Sequence, residues 1–169
     1  MTTTTAISRP GVPWRIGPAI AQGALVGGTL DMTYACIIWF LVRGASPLTV
    51  MQGVATGWLG KDAFSGGLPV SALGLASHYF IAFVTAGIYC FASLRLPVLV
   101  RRWVISGLIY GLGMCFMMTF VVLPLSAANS KLPQGWWILS SLFAHLILFG
   151  LPIAYFARRA WLQAGSPKL

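Results

Sequence analysis

The sequence predicts an all-α membrane protein with four transmembrane helices, and three observations support that fold class. Hydrophobic residues make up 58% of the 169 residues and charged residues only 8%, whereas soluble domains carry about 25% charged residues. Four apolar runs reach the roughly 20 residues that a helix needs to cross the hydrocarbon core. The net charge of +9 comes from basic residues spread between these runs rather than gathered in one patch. We therefore expect a lipid bilayer around this chain and no nucleic-acid partner.

The first span is predicted over residues 18–42. The polar, threonine-rich residues 1–16 before it are expected to form a mobile tail. Gly23 and Gly27 have the four-residue spacing that lets a second helix approach closely. Asp31 follows Gly27 by four residues, so it shares that helix face and should point into the bundle.

A short amphipathic helix is predicted between the first two spans, over residues 47–59. Ser46 and Pro47 suit its N-cap and first helical position. Its apolar residues lie on one side, and it is too short to cross a membrane. Residues 60–67 are rich in glycine and are predicted to be a loop.

The other three spans are predicted over residues 69–94, 103–124 and 136–157. Gly107 and Gly111 repeat the close-packing spacing in the third span. In the fourth span, Gly150 and Pro152 predict a local kink. Together the spans form a single transmembrane domain over residues 17–160, followed by a second tail over 161–169.

Basic residues predict how the chain is oriented. Eight lie on one side of the predicted topology and three on the other; the first group is Arg9, Arg15, Arg95, Arg101, Arg102, Arg158, Arg159 and Lys168, and the second is Arg43, Lys61 and Lys131. Because the cytoplasmic side of a membrane protein carries the excess of arginine and lysine, both termini should face the cytoplasm. The prediction is a multi-pass protein of the bacterial inner membrane, with the amphipathic helix on the outer side.

Three ionisable side chains fall at one depth within the spans. Asp31 is one of two acidic residues in the chain, and His78 and His145 are its two histidines. At 1.5 Å per residue, all three lie about 13–17 Å below the outer surface, near the midplane. A lone carboxylate at that depth costs about 2.5–3.5 kcal/mol, so a partner is expected.

Neighbouring residues supply possible partners for this polar layer. Tyr34 and Tyr79 are close to it in sequence and could offer hydroxyl groups. On the third span the same depth corresponds to Met114 and Cys115.

The polar layer has three possible interpretations. The three side chains could bond one another or the backbone and only fix helix pairing. They could line a transport or proton pathway, which is the usual role of intramembrane ionisable residues. They could also bind a cofactor, with the two histidines holding a haem, or with Met114 or Cys115 a soft metal such as copper. The identity of any metal stays open.

No motif predicts an enzyme, since the sequence contains neither a nucleophile elbow nor a zinc-protease helix. The first functional hypothesis is a small transport or proton-linked protein built on the polar layer. The alternative is an accessory or cofactor-binding subunit of a larger membrane complex, or a homo-oligomer. Its docking faces would contain Gly23 and Gly27, or Gly107 and Gly111.

The order of features resembles the YagU-type family of small bacterial inner-membrane proteins. The matching pieces are the stretch from His78 to Cys90, the helix from Gly107 to Leu125, and Phe143-Ala-His145-Leu. The resemblance covers about residues 70–160. It implies an inner-membrane protein without an established biochemical activity, in which both histidines recur.

Overall fold

The fold class predicted from the sequence is confirmed by a computed structural model, which describes residues 16–128 and 135–164. Within those residues the chain is helical and contains no strands. Four helices are long and apolar enough to cross a membrane: span 1, Ile16–Arg43; span 2, Gly67–Arg95; span 3, Trp103–Leu125; and span 4, Trp136–Gln163. Residues 1–15 of the predicted tail over 1–16, the connection over 129–134 and the last residues, 165–169, lie outside the described part. Ile16, the last residue of that predicted tail, is the first residue of span 1.

The predicted boundaries of spans 1 to 3 agree with the structure to within two residues. Span 4 is longer than predicted, because its helix continues from Ala157 to Gln163. The apolar run ends near Ala157, but beyond it Ala160 and Trp161 pack against the buried core. The Arg158 guanidinium also lies 6.0 Å from the centre of the Trp103 ring on span 3. The predicted second tail therefore begins inside a helix.

The amphipathic helix is Pro47–Leu59, with Ser46 as its N-cap. It packs along the start of span 2, where the Ser71 hydroxyl donates to the Leu48 carbonyl oxygen at 3.2 Å and Gln52 Nε2 donates to the Gly67 carbonyl oxygen at 3.1 Å. The prediction of a loop over residues 60–67 is wrong for most of that range, since Gly60–Ser65 forms a 3-10 helix. The hydroxyl of Ser65 closes that turn by donating to the Asp62 carbonyl oxygen at 2.8 Å.

Two stretches within the spans are π-helical instead of α-helical. They are Met118–Val122 in span 3 and Ala144–Gly150 in span 4. Each stretch ends two residues before a proline, Pro124 or Pro152. Proline has no N–H to donate to the preceding turn, so the local hydrogen-bond pattern must change. Where the sequence predicts a kink, near Gly150 and Pro152, the structure therefore has a π-helical turn.

The bundle has a tightly packed half and an open half. In the packed half, small residues bring backbones together: a Cβ at Gly23 would lie 3.3 Å from the Cα of Ile153, and one at Gly107 only 2.9 Å from the Cβ of Ala154. The core of this half contains Ala19, Ala24, Ala86, Tyr89, Val100, Ile153, Ala154 and Ala157. The open half lies beside the amphipathic helix and contains a cavity.

Replacing Gly111 with alanine is expected to destabilise the bundle. A Cβ there would overlap the carbonyl group of His145 and come within 2.7 Å of the Cα of Leu146. Backbone atoms have little room to move, so overpacking should cost about 1–3 kcal/mol. Thermal unfolding in mild detergent measures the effect.

Gly113→Ala is the matched control, because nothing lies within 4 Å of a Cβ at that position on the same span. Alanine favours a helix over glycine, so this variant should be as stable as the original or more so. Equal melting temperatures for the two variants would contradict the close contact of spans 3 and 4.

Candidate functional site

A cavity of about 900 Å³ occupies the open half of the bundle. All four spans and the amphipathic helix contribute to its wall. Its polar, charged and aromatic lining residues are Asp31, Tyr34, Trp39, Arg43, His78, Thr119, Trp137, Ser140, Ser141, His145 and Phe149. Asp31, His78 and His145, predicted from the sequence to share one depth, thus line one cavity.

Among the described residues, Asp31 is the only one that contributes a carboxylate to the cavity wall. It lies four residues beyond Gly27, whose own close contact with Phe149 brings spans 1 and 4 together at this level. The side chain is partly buried. Within residues 16–128 and 135–164, no side chain bonds to it and no cation pairs with it. The partner expected for this carboxylate is therefore absent from the described part of the protein.

His78 joins span 2 to span 1. Its Nε2 lies 2.8 Å from the carbonyl oxygen of Gly28. A carbonyl oxygen only accepts, so Nε2 carries the hydrogen and donates it. In the neutral ring, Nδ1 is then an acceptor.

His145 lies in the π-helical stretch of span 4. Its Nδ1 donates to the carbonyl oxygen of Ser141 at 2.9 Å, within the same span. The Nε2 at the opposite side of the ring is consequently the acceptor in the neutral form. Single π-helical turns are frequent at functional sites, and here the turn brings the histidine to the cavity.

Aromatic rings form much of the wall between the polar layer and the end of the bundle. The rings of Trp39 on span 1 and Trp137 on span 4 lie 4.6 Å apart at 31°. Below them, the Tyr34 hydroxyl is 3.0 Å from the Ser140 hydroxyl, and its ring is 5.3 Å from that of Phe143. These contacts join the end of span 1 to the start of span 4 around the cavity.

Two of the predicted supporting residues do not line the cavity. The Tyr79 hydroxyl is 2.8 Å from Thr29 Oγ1, and the Tyr79 ring packs on Gly28. Cys115 is buried between spans 3 and 4, with its Sγ 3.5 Å from Ser141 Oγ. Tyr34 and Met114, by contrast, are on the cavity wall.

Comparisons with protein-family models, curated proteins and solved structures find no match to this chain. The geometry of the cavity therefore carries the functional argument.

The predicted cofactor sites find limited support in the donor atoms. Across the described ranges, no group of three or more histidine, cysteine, aspartate or glutamate side chains is arranged to hold a metal ion. Each histidine has one ring nitrogen engaged by a carbonyl and one left over. Cys115, one of the two soft ligands predicted for copper, lies outside the cavity wall.

The four glycines predicted as docking faces are buried inside the bundle. Gly23 and Gly27 contact span 4, as do Gly107 and Gly111. These faces pack the chain's own helices and are not exposed to a partner in this structure.

Several cavity residues were not singled out from the sequence, namely Trp39, Arg43, Thr119, Trp137, Ser140 and Ser141. Helical periodicity would have found most of them. Counting in steps of four from Asp31 leads through Ala35 to Trp39 and Arg43, and counting back from His145 leads to Ser141 and Trp137. The sequence signal for these residues is that they lie on the same helix face as an ionisable residue.

Proposed function

We propose that this chain is a small multi-pass transport protein that couples movement of a solute to movement of protons. The single observation that carries the proposal is the cavity of about 900 Å³ whose wall includes Asp31, His78 and His145 together. Pockets of roughly 300–1,000 Å³ are typical of small-molecule sites. Ionisable groups inside a membrane usually line pathways for solutes, ions or protons.

The hydrogen bonds favour this proposal over a purely structural role. If the three side chains only fixed helix pairing, each should bond another of the three or the backbone. His78 and His145 do bond backbone carbonyls, but Asp31 has no side-chain partner among the described residues. A carboxylate that the fold itself does not use is available to a solute or a proton.

The distribution of charge supports a location and an orientation for the proposed transporter. Five arginines, Arg95, Arg101, Arg102, Arg158 and Arg159, lie at the packed end of the bundle, whereas Arg43 and Lys61 lie at the end with the cavity. By the positive-inside rule, this distribution favours an orientation with both termini in the cytoplasm and the cavity open to the outer side. A bacterial inner membrane, as the YagU-type resemblance implies, is the proposed location.

Proton coupling is tested in proteoliposomes loaded with a pH-sensitive dye. Gradients of organic cations, organic anions and neutral solutes are imposed in turn, and proton movement is followed. We expect at least one class to drive protons in the original protein and His145→Ala to reduce that flux at least tenfold. His145 is the better target of the two histidines because its hydrogen bond stays within its own span.

The control for this experiment is Ile147→Ala, a change on the lipid-facing side of the same span. It should leave the flux unchanged. Absence of solute-driven proton movement with correctly folded protein, or equal flux with and without His145, would refute the transport proposal.

A further inference from the structure

The charge inside the cavity is asymmetric along the membrane normal. Asp31 lies at the deep end, and Arg43 lies twelve residues later on the same span. That separation corresponds to about 18 Å along the helix axis. Arg43 is exposed at the helix end, where water and salt screen its charge over about 8–10 Å. At the level of the polar layer, the carboxylate therefore dominates.

The two histidines add acceptors to this layer, not donors. Their N–H groups are already used on the carbonyl oxygens of Gly28 and Ser141, at 2.8 and 2.9 Å. What each neutral ring has left is a lone pair. The hydroxyls of Thr119 and Ser141 donate or accept equally well, so they do not change the excess of hydrogen-bond acceptors over donors. Around Asp31, the cavity is rich in acceptors and suits a ligand that is positively charged or donates hydrogen bonds.

The walls of the cavity favour an organic cation over a bare metal ion. Tyr34, Trp39, Trp137 and Phe149 present aromatic rings on two spans. Ring faces attract cations within about 6 Å, most strongly when water is excluded. A metal ion would instead need the dense set of ligands that is missing from the described residues.

We propose that the cavity binds an amphiphilic organic cation, with Asp31 as its counter-ion and the aromatic rings of Tyr34, Trp39 and Trp137 around its apolar body. This inference rests on the proposed transport function and names its substrate class. An anion of the same shape would meet an unpaired carboxylate in a medium of low polarity, so it should be excluded from the deep end.

Protons should compete with the cation. The titratable or charged groups facing the cavity are Asp31, Tyr34 and Arg43 from span 1, His78 from span 2 and His145 from span 4; the lining residues of span 3 and of the amphipathic helix do not titrate. Histidine in general changes charge between pH 5 and 8, so cation affinity should be about tenfold higher at pH 8 than at pH 5.

Tetraphenylphosphonium and tetraphenylborate test the proposal directly, because the two ions share a shape and differ in charge. Binding of each ion to the full-length protein in mild detergent is measured by equilibrium dialysis at pH 5 and pH 8. The variants are Asp31→Asn, which removes the charge, and Val54→Trp, which narrows the cavity from the amphipathic helix. Leu48→Trp on the exposed side of that helix is the control.

We expect one phosphonium ion to bind per chain at pH 8, with affinity at least tenfold lower in Asp31→Asn and in Val54→Trp and unchanged in Leu48→Trp. Tetraphenylborate should show only the same micelle background in all four proteins. If Asp31→Asn does not fold, Val54→Trp still decides whether the cavity is the binding site. Preference for the borate, or phosphonium binding that neither variant weakens, would overturn the proposal.

The outcome also separates this inference from the proposed function. Phosphonium binding without solute-driven proton movement would retain the cation site and remove the transport role. Proton movement driven only by anions or neutral solutes, without phosphonium binding, would retain transport and reject the cation as its substrate.

Discussion

Replacing Asp31 with asparagine is expected to abolish proton-linked flux and, at the same time, to raise the stability of the protein. The carboxylate is partly buried near the middle of span 1 and has no side-chain partner in the described part of the chain. A charge at the centre of a transmembrane helix costs about 2.5–3.5 kcal/mol. Water in the cavity reduces that cost, so removing the charge should recover about 1–2 kcal/mol.

For a chain of this size, such a gain corresponds to a rise of about 2–8 °C in Tm. Thermal unfolding in mild detergent gives the stability, and dye-loaded proteoliposomes give the flux. Thr33→Val is the matched control, because Thr33 is exposed on the same span and does not line the cavity. It should change neither flux nor the ability to bind a cation.

The opposite sign of the stability change would favour the structural interpretation of the polar layer. If Asp31 held helices together, its replacement would lower Tm, as expected for the loss of a buried hydrogen bond. A lower Tm together with retained flux would therefore remove Asp31 from the functional site. Higher stability with lost function is the usual mark of a group kept for activity rather than for folding.

The fold could be predicted from the sequence because the bilayer restricts what an apolar run can form. Each span needs roughly 20 apolar residues and must satisfy its own backbone hydrogen bonds, so hydropathy and helix breakers located spans 1 to 3 to within two residues. The end of span 4 was missed because hydropathy falls at Arg158 and Arg159, whereas the packing of Ala160 and Trp161 against the core depends on the tertiary structure.

The candidate site was predictable in depth but less so in detail. Depth follows from counting residues along each span, which brought Asp31, His78 and His145 to one level. Which neighbours share the cavity depends on rotation about the helix axis, and adjacent residues differ by about 100°. Tyr79 and Cys115 therefore face away from the cavity, although His78 and Met114 beside them line it.

The open half of the bundle and its π-helical turns could not be predicted from sequence patterns. Pro124 and Pro152 indicate that the helices change there. Whether a proline causes a kink, a break or a π-helical turn depends on how neighbouring spans satisfy the freed carbonyls. The cavity lies beside the half of the bundle whose core contains the small residues Ala24, Ala86 and Ala154, and its position depends on how whole helices pack.

Cysteine labelling tests the central claim that a water-accessible cavity lies beside the amphipathic helix. In a background where Cys36, Cys90 and Cys115 are replaced by alanine, single cysteines are introduced at Ala35 and Ile37. Ala35 lines the cavity, whereas Ile37 is 51% exposed on the outer surface of the same span. The two positions differ by only about 3 Å in depth. Thiols react as thiolates, which need water.

A membrane-impermeant thiol reagent, added in turn to each side of the membrane, gives the labelling rate at the two positions. We expect the cysteine at position 35 to react at least tenfold faster than the one at position 37, and only from the side where the amphipathic helix lies. Equal rates at the two positions, or no reaction at position 35 from either side, would contradict an open polar cavity.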